Sequence, residues 1–403
     1  MSTAESPREQ ALPSSTRQTI LLVDGWLANA GDAAINLATS LTLRRELPGA
    51  RVVLAGHHRS LMGASYPELD LAPPLDAVAG VSWPWTTPQD LAEGGIVDRL
   101  VEEADLVVAA GGGYMLERYK PEGRIKGYEY LLERGKRLAF YAQSIGRFKD
   151  PALRARLGTV LVGADLVLVR DEPSLEVVRE LRSPEGVHLT ADEAFLLPVN
   201  RRIATPRSLL VTASVHPWER DDGTDELRDD SHLEQIAAAL TRILSSGLAR
   251  TVTLASTVQG VGWAGQALED DDIAASRLQA AVPAQWRNRI RRSSGYLTAN
   301  RYAELAARHA AVISMRMHGA ILAAVAGTPV LLANASDKAL SLSRRSEGRI
   351  STISSRSDLG RLDELVAPLL EDLKGARLRQ NAAVEQMRAL ARANAQLVSD
   401  QLR

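Results

Sequence analysis

The sequence predicts an α/β protein made of two doubly wound, parallel-sheet units. Three observations carry this. Short apolar runs alternate with helical patterns along most of the chain. The runs are Leu- and Val-rich throughout, as strands buried on both faces are. The alternation pauses once, at the polar stretch 198–206 (PVNRRIATP), and then resumes. At 403 residues the chain is long enough for two or three domains.

The first 17 residues are polar, have no apolar stretch and read as a disordered tail. The first strand-like run is 19–24 (TILLVD), followed by 51–55, 105–110, 137–143 and 165–170. Helical patterns fall between them at 32–46, 96–104, 123–134, 151–162 and 173–181. Pro151 and Pro173 suit first-turn positions, where no N–H is needed. This series defines a domain over 18–200. The second series has strand-like runs at 208–214, 251–255, 311–314 and 328–332. Its helical patterns cover 231–245, 271–281, 299–308 and 319–326, giving a domain over 206–357. Residues 358–403 are Ala-, Leu-, Arg- and Glu-rich with helical periodicity. Gly375 is expected to interrupt them, and the segment is placed to cross back onto the first domain.

Composition excludes several functions. There is no cysteine, which removes disulfides, thiolate metal sites and a Cys nucleophile. The 48 Lys and Arg against 49 Asp and Glu, a net charge of -1, argue against a broad nucleic-acid surface. Aromatics at 4% leave little for base stacking. No apolar run reaches the ~20 residues of a membrane span. The expectation is a cytoplasmic protein, free or peripheral to the inner membrane.

In open α/β sheets ligands sit beyond the carboxyl ends of strands. Four such loops stand out. Residues 25–32 (GWLANAGD) lead into a helix and offer Asn29, Gly31 and Asp32. They could present helix N–H groups to an anion, or form a tight turn capped by Asn29 or Asp32. The loop has neither the Lys-Ser/Thr of a nucleotide-phosphate loop nor the order GxGxxG. Gly111, Gly112 and Gly113 follow the next strand, at a ligand or at a close helix–strand contact. Gln143 and Ser144 end another strand and could line a cleft.

The fourth loop is the sharpest: residues 314–319 (SMRMHG). In extended chain Arg316 and His318 would share a face and point to a helix start at Gly319. That pairs a planar cation for carboxylate or phosphate with a group titrating near neutrality. The plainer reading has His318 capping the helix and Arg316 pairing with a surface acid. Weaker candidates are Asp192 and Glu193, as a general acid or base or a solvated pair, and Lys338, as added positive charge. Arg170 and Asp171 read as a local ion pair or helix cap. The acidic run 269–272 reads as a solvated loop, and His57 and His58 lack partners at metal-ligand spacing, so no metal site is expected.

Taken in order, NAGDAAI, AAGGGYML, AQSIGRF, VRDEPS, TADEAF and SMRMHGAILAAVAGTPVL, followed by Lys338, resemble the polysaccharide pyruvyl transferase family. The match spans about residues 29–338. The resemblance implies two Rossmann-like domains facing a GT-B-like cleft, acceptor side first and donor side second. It implies transfer of a pyruvyl group from phosphoenolpyruvate to a saccharide, usually as a cyclic ketal, with no cofactor beyond that substrate. By resemblance, Arg316 and His318 match the family's donor-binding Arg-x-His. One position departs. Where similar proteins often end the first strand of the second domain in a donor-holding Arg, this chain has His216. A neutral imidazole holds phosphate less well than a guanidinium, and Arg220 and Lys338 are the cations available to replace it.

Under that implication Arg316, the amide of Gly319, His216 and Lys338 would clamp the donor's charges. His318 could protonate the enol carbon or the leaving phosphate, and Asp192 or Asp32 could take the acceptor's proton. Two other readings remain open. One is a GT-B glycosyltransferase using a nucleotide sugar. The other is a non-catalytic family member serving as a binding subunit.

Overall fold

The computed structural model describes residues 18–57, 59–79, 88–200, 202–215, 231–259 and 270–402. The tail 1–17, His58, His216, Arg220 and Glu269 lie outside them. The first domain carries β1 (Thr19–Trp26), β2 (Arg51–His57), β3 (Asp70–Ala72), β4 (Leu106–Ala109), β5 (Gly112–Met115), β6 (Leu138–Ile145), β7 (Leu166–Val169) and β8 (Val187–Leu189). Its longer helices are α1 (Ala30–Glu46), α2 (Gly94–Glu103), α3 (Glu122–Glu133), α4 (Pro151–Gly163) and α5 (Glu172–Leu181). The sheet order is β3-β2-β1-β4-β6-β7-β8, with β5 pairing β6, and every pair is parallel.

The second domain carries β9 (Thr205–Thr212), β10 (Thr251–Leu254), β11 (Ile290–Arg292), β12 (His309–Ser314), β13 (Val330–Leu332) and β14 (Ser351–Thr352). Its longer helices are α6 (Ser231–Ser245), α7 (Asp271–Ala281), α8 (Ala299–Ala307), α9 (Met317–Val325) and α10 (Asp337–Arg345). The order β11-β10-β9-β12-β13-β14, again all parallel, winds outward from its first strand as the first sheet does. In both sheets the order reverses beside the first strand. That is where an α/β sheet opens a crevice at its carboxyl edge.

The chain closes with α11 (Leu362–Glu371) and α12 (Leu373–Leu402). The break between them falls at Asp372, not at Gly375. The Asp372 carboxylate accepts from the Gly375 amide at 2.8 Å, and a Cβ on Gly375 would lie 2.0 Å from that carboxylate. Gly375 therefore sits inside the first turn of α12 and makes room for its cap. Helix α12 touches both domains. Gln380 bonds the backbone at Thr328 and Val330, while Asn394 donates to the Ala191 carbonyl and to Glu193.

The domains share a core on one side. Ile35 and Leu37 of α1, Ala303 and Ala306 of α8, Ile321 and Leu322 of α9, and Val384 and Met387 of α12 belong to one apolar cluster. The Ala30 amide donates to the Thr257 carbonyl across the junction at 2.8 Å. This contact ties the start of α1 to the loop that follows β10. Among the described residues, no helix is long and apolar enough to cross a membrane.

Candidate functional site

The loops that leave the carboxyl ends of β6, β7, β8 and β12 meet at the domain junction. Arg170, just past β7, is 7% exposed and stands at the centre. Its Nη1 donates to Asp192 Oδ2 at 2.5 Å, and its Nε donates to Ser144 Oγ at 2.8 Å. Ser144 donates onward to Asp171 Oδ2 at 2.5 Å, and Asp171 caps α5 by accepting from the Ser174 amide at 2.9 Å. From the other domain, His318 Nε2 comes to 3.2 Å from the same Asp192 oxygen and 3.4 Å from Arg170 Nη1. One carboxylate thus joins a cation of the first domain to an imidazole of the second. Burial alone would raise the Asp192 pKa, but Arg170 and then His318 more than reverse this and hold it below the usual carboxylate range.

The position of His318 is set by Gly31. A Cβ on Gly31 would lie 2.4 Å from the Cβ, Cγ and Nδ1 of His318, so the α1 backbone forms the wall behind the ring. Asp32, one residue on, is 9% exposed. Burial raises its pKa, against the opposing pull of His318 and Arg170. Two carboxylates near one imidazole are therefore driven apart. Asp192 is held ionised in a pair, and Asp32 is the more basic of the two.

Beside this network a pocket is lined by Arg170, Asp192, Lys338 and Arg345, with apolar walls from Met317, Leu342 and Met387. Arg345 donates to the Arg170 carbonyl at 2.5 Å and lies 3.7 Å from Glu172. Lys338 reaches across to the glycine loop, where a Cβ on Gly113 would stand 3.5 Å from its Nζ. These three cations stand against the carboxylates of Asp171 and Asp192 in the pocket wall and Glu172 beside Arg345.

Other expected residues fall elsewhere. Arg316 and His318 do not share a face. The helix begins at Met317, so Arg316 is its N-cap and the chain has turned before His318. Arg316 points within its own domain, where its Nε donates to the buried Asp271 at 2.9 Å and its Nη2 lies 2.9 Å from the same oxygen. Asp271 also accepts from the Thr257 and Val258 amides. This is one member of the acidic run 269–272 that is not solvated. Gly319 is needed for packing, since a Cβ would lie 2.4 Å from Ser314 Oγ and 3.0 Å from Tyr302 Oη. No side chain caps α9.

At the start of α1 the first two amides are already bonded. Asn29 caps it by accepting from the Gly31 amide at 2.9 Å, and the Ala30 amide is bound to Thr257. The three glycines divide their tasks. Gly111 lies where a Cβ would meet the Tyr141 carbonyl at 2.9 Å; Gly112 has φ +153° and lies under the Tyr114 ring; Gly113 faces Lys338. Gln143 is fully buried, and its amide nitrogen donates to the Ala110 carbonyl. His57 pairs with Asp76 at 3.0 Å. Among the described residues no group of three or more His, Asp or Glu could hold a metal. His216 lies outside the described residues. Sequence reasoning missed the central place of Arg170, Arg345 and Tyr114. Only the position of Arg170 at a strand's carboxyl end gave a signal.

Two parallel-sheet domains with polar loops meeting at their carboxyl edges define a GT-B-like architecture. Solved structures share this fold. A UDP-GlcNAc 2-epimerase from Neisseria meningitidis bound to UDP-GlcNAc has a TM-score of 0.59 at 11% identity, over 96% of this chain and 99% of that one. A UDP-GlcNAc 2-epimerase from Methanocaldococcus jannaschii has a TM-score of 0.53 at 10% identity, over 86% and 92%. The spinosyn rhamnosyltransferase SpnG has a TM-score of 0.50 at 13% identity, over 96% and 100%. No curated protein is significantly similar in sequence. The polysaccharide pyruvyl transferase family model matches residues 29–335, and the chain belongs to that family.

Proposed function

We propose that the protein transfers the pyruvyl group of phosphoenolpyruvate to two hydroxyls of a saccharide, forming a ketal. The observation that carries this is the Arg170–Asp192–His318 network at the domain junction, beside Lys338 and Arg345. Phosphoenolpyruvate is a small anion with a carboxylate, a phosphate and an apolar methylene. Arg170, Lys338 and Arg345 would take the two anionic groups, and the Met317, Leu342 and Met387 side would take the methylene.

The reaction balances in protons. The two acceptor hydroxyls release two; the methylene carbon takes up one to become a methyl, and the departing phosphate carries the other. The neighbouring carbon gains two C–O bonds and loses the second bond of its C=C double bond and its bond to the phosphate-bearing oxygen. His318 in its imidazolium form donates to the methylene carbon, oriented by Asp192. Asp32 accepts the proton of the attacking hydroxyl, as the more basic carboxylate beside that ring. Arg316, locked to Asp271, shapes the start of α9 in this scheme.

The test is phosphate release from phosphoenolpyruvate with saccharide acceptors, together with thermal stabilisation by phosphoenolpyruvate alone. A ligand at 100 times its dissociation constant stabilises by about 2.7 kcal/mol. His318→Ala should abolish turnover while the protein stays folded and stabilised by the donor. Stabilisation by nucleotide sugars and not by phosphoenolpyruvate would overturn the proposal.

A further inference from the structure

A second cluster of polar and aromatic side chains lies at the carboxyl ends of β1 and β5, beside the Arg170–Asp192–His318 network. Asp24 adopts φ +66°, a left-handed conformation that non-glycine residues hold under constraint. Its carboxylate accepts from the Tyr128 hydroxyl and lies 3.4 Å from Arg124 Nε. The Arg124 guanidinium lies over the Tyr114 ring, 4.8 Å from its centroid. These groups are buried and hold one another.

The Tyr114 hydroxyl does not fit that pattern. The residue is 7% exposed, and its oxygen is buried with no hydrogen-bond partner. Buried hydroxyls almost always find partners, because desolvation without one is costly. Yet the ring is held in place with care. Arg124 covers one side, and Gly112 leaves the space a side chain would fill, since a Cβ there would stand 2.5 Å from Tyr114 Cε2. Asp32 is the charged group that acts most strongly on the hydroxyl, and the hydroxyl in turn acts on the Asp32 carboxylate. The two polar groups face each other between the glycine loop and the start of α1, within reach of the charges of His318 and Arg170.

We propose that Tyr114 and Asp32 together hold the acceptor, a saccharide presenting two neighbouring hydroxyls. Asp32 takes the hydroxyl that attacks first, and Tyr114 donates to the oxygen of the second. Asp24 and Arg124 are positioning residues that fix the Tyr114 ring. This rests on the pyruvyl-transfer reading and adds to it where the acceptor binds and which geometry of hydroxyls it must offer.

Tyr114→Phe tests this with little risk to folding, because it deletes a buried oxygen with no hydrogen bond of good geometry. The probes are methyl β-D-galactopyranoside, methyl α-D-glucopyranoside and methyl N-acetyl-β-D-mannosaminide, assayed by phosphate release from phosphoenolpyruvate. The expected result is a melting temperature equal to or above wild type, an unchanged KM for phosphoenolpyruvate, and a loss of about tenfold or more in kcat/KM for the acceptor. A purely structural Tyr114 would lower stability and leave the acceptor's kcat/KM alone, and that result overturns the proposal. Wild-type protein that is stabilised by phosphoenolpyruvate but uses none of the three glycosides also overturns it, since each offers paired hydroxyls. Wild-type protein that does not respond to phosphoenolpyruvate at all overturns the transfer reading instead.

Discussion

Gly31→Ala is the substitution whose outcome follows most directly from the geometry. The added Cβ would lie 2.4 Å from three atoms of His318. Carbon atoms settle at about 3.5–4.0 Å, so the ring must retreat by about 1 Å. His318 Nε2 is 3.2 Å from Asp192, and a retreat of that size breaks the hydrogen bond. Misplacing a catalytic group by about 1 Å costs on the order of 100-fold in rate. Stability should fall by about 0–2.5 kcal/mol, for two terms partly cancel. Ala gains roughly 0.5–1 kcal/mol over Gly inside α1, while overpacking costs roughly 1–3 kcal/mol. The assay is kcat for phosphate release with thermal melts, on Gly31→Ala, His318→Ala and the double variant. If Gly31 acts by placing His318, the double variant should be no slower than His318→Ala. A folded Gly31→Ala protein with wild-type kcat would refute the argument.

Two further predictions concern the buried acids. Asp192→Asn leaves Arg170 buried without its countercharge and should destabilise by roughly 3–5 kcal/mol, read by denaturant melts. In the native protein Asp192 has a pKa below its unfolded value of 3.8, so its stabilisation is present above that pH and lost as pH falls through the lower native value. Acid unfolding should therefore move to higher pH when Asp192 is removed. Glu193 behaves oppositely. Burial pushes its pKa up to about 7 from 4.5, against hydrogen bonds from Thr42, Asn394 and Tyr141. The native state binds a proton that the unfolded state releases, so stability falls as pH rises from about 4.5 to about 7. Glu193→Gln should remove that slope and stabilise the protein above pH 7 by on the order of 3 kcal/mol. A melting temperature that stays flat across this window in the wild type would contradict it.

The fold was legible because its signal is repeated. Each buried parallel strand is an apolar run that stands apart from its helical neighbours, and residues 19–24, 137–143 and 165–170 each fall on a strand. The strands without such runs were not visible. Residues 290–292 read Ile-Arg-Arg and 112–115 read Gly-Gly-Tyr-Met, and their pairing comes from the sheet beside them. In the site, what was legible was the loop and not the partner. Arg316 and His318 stand two apart in sequence, but one residue of helix between them sends the first to Asp271 and the second to Asp192, in different domains. Arg170 and Asp171 looked like a local pair because they are adjacent. In the structure Asp171 caps α5 while Arg170 turns to Asp192 at the junction, and Ser144 links the two by bonding each. A charge's neighbours along the chain thus said little about its neighbours in space. What places His318 is the contact between α1 and α9, made at Gly31, where a side chain would collide with the imidazole.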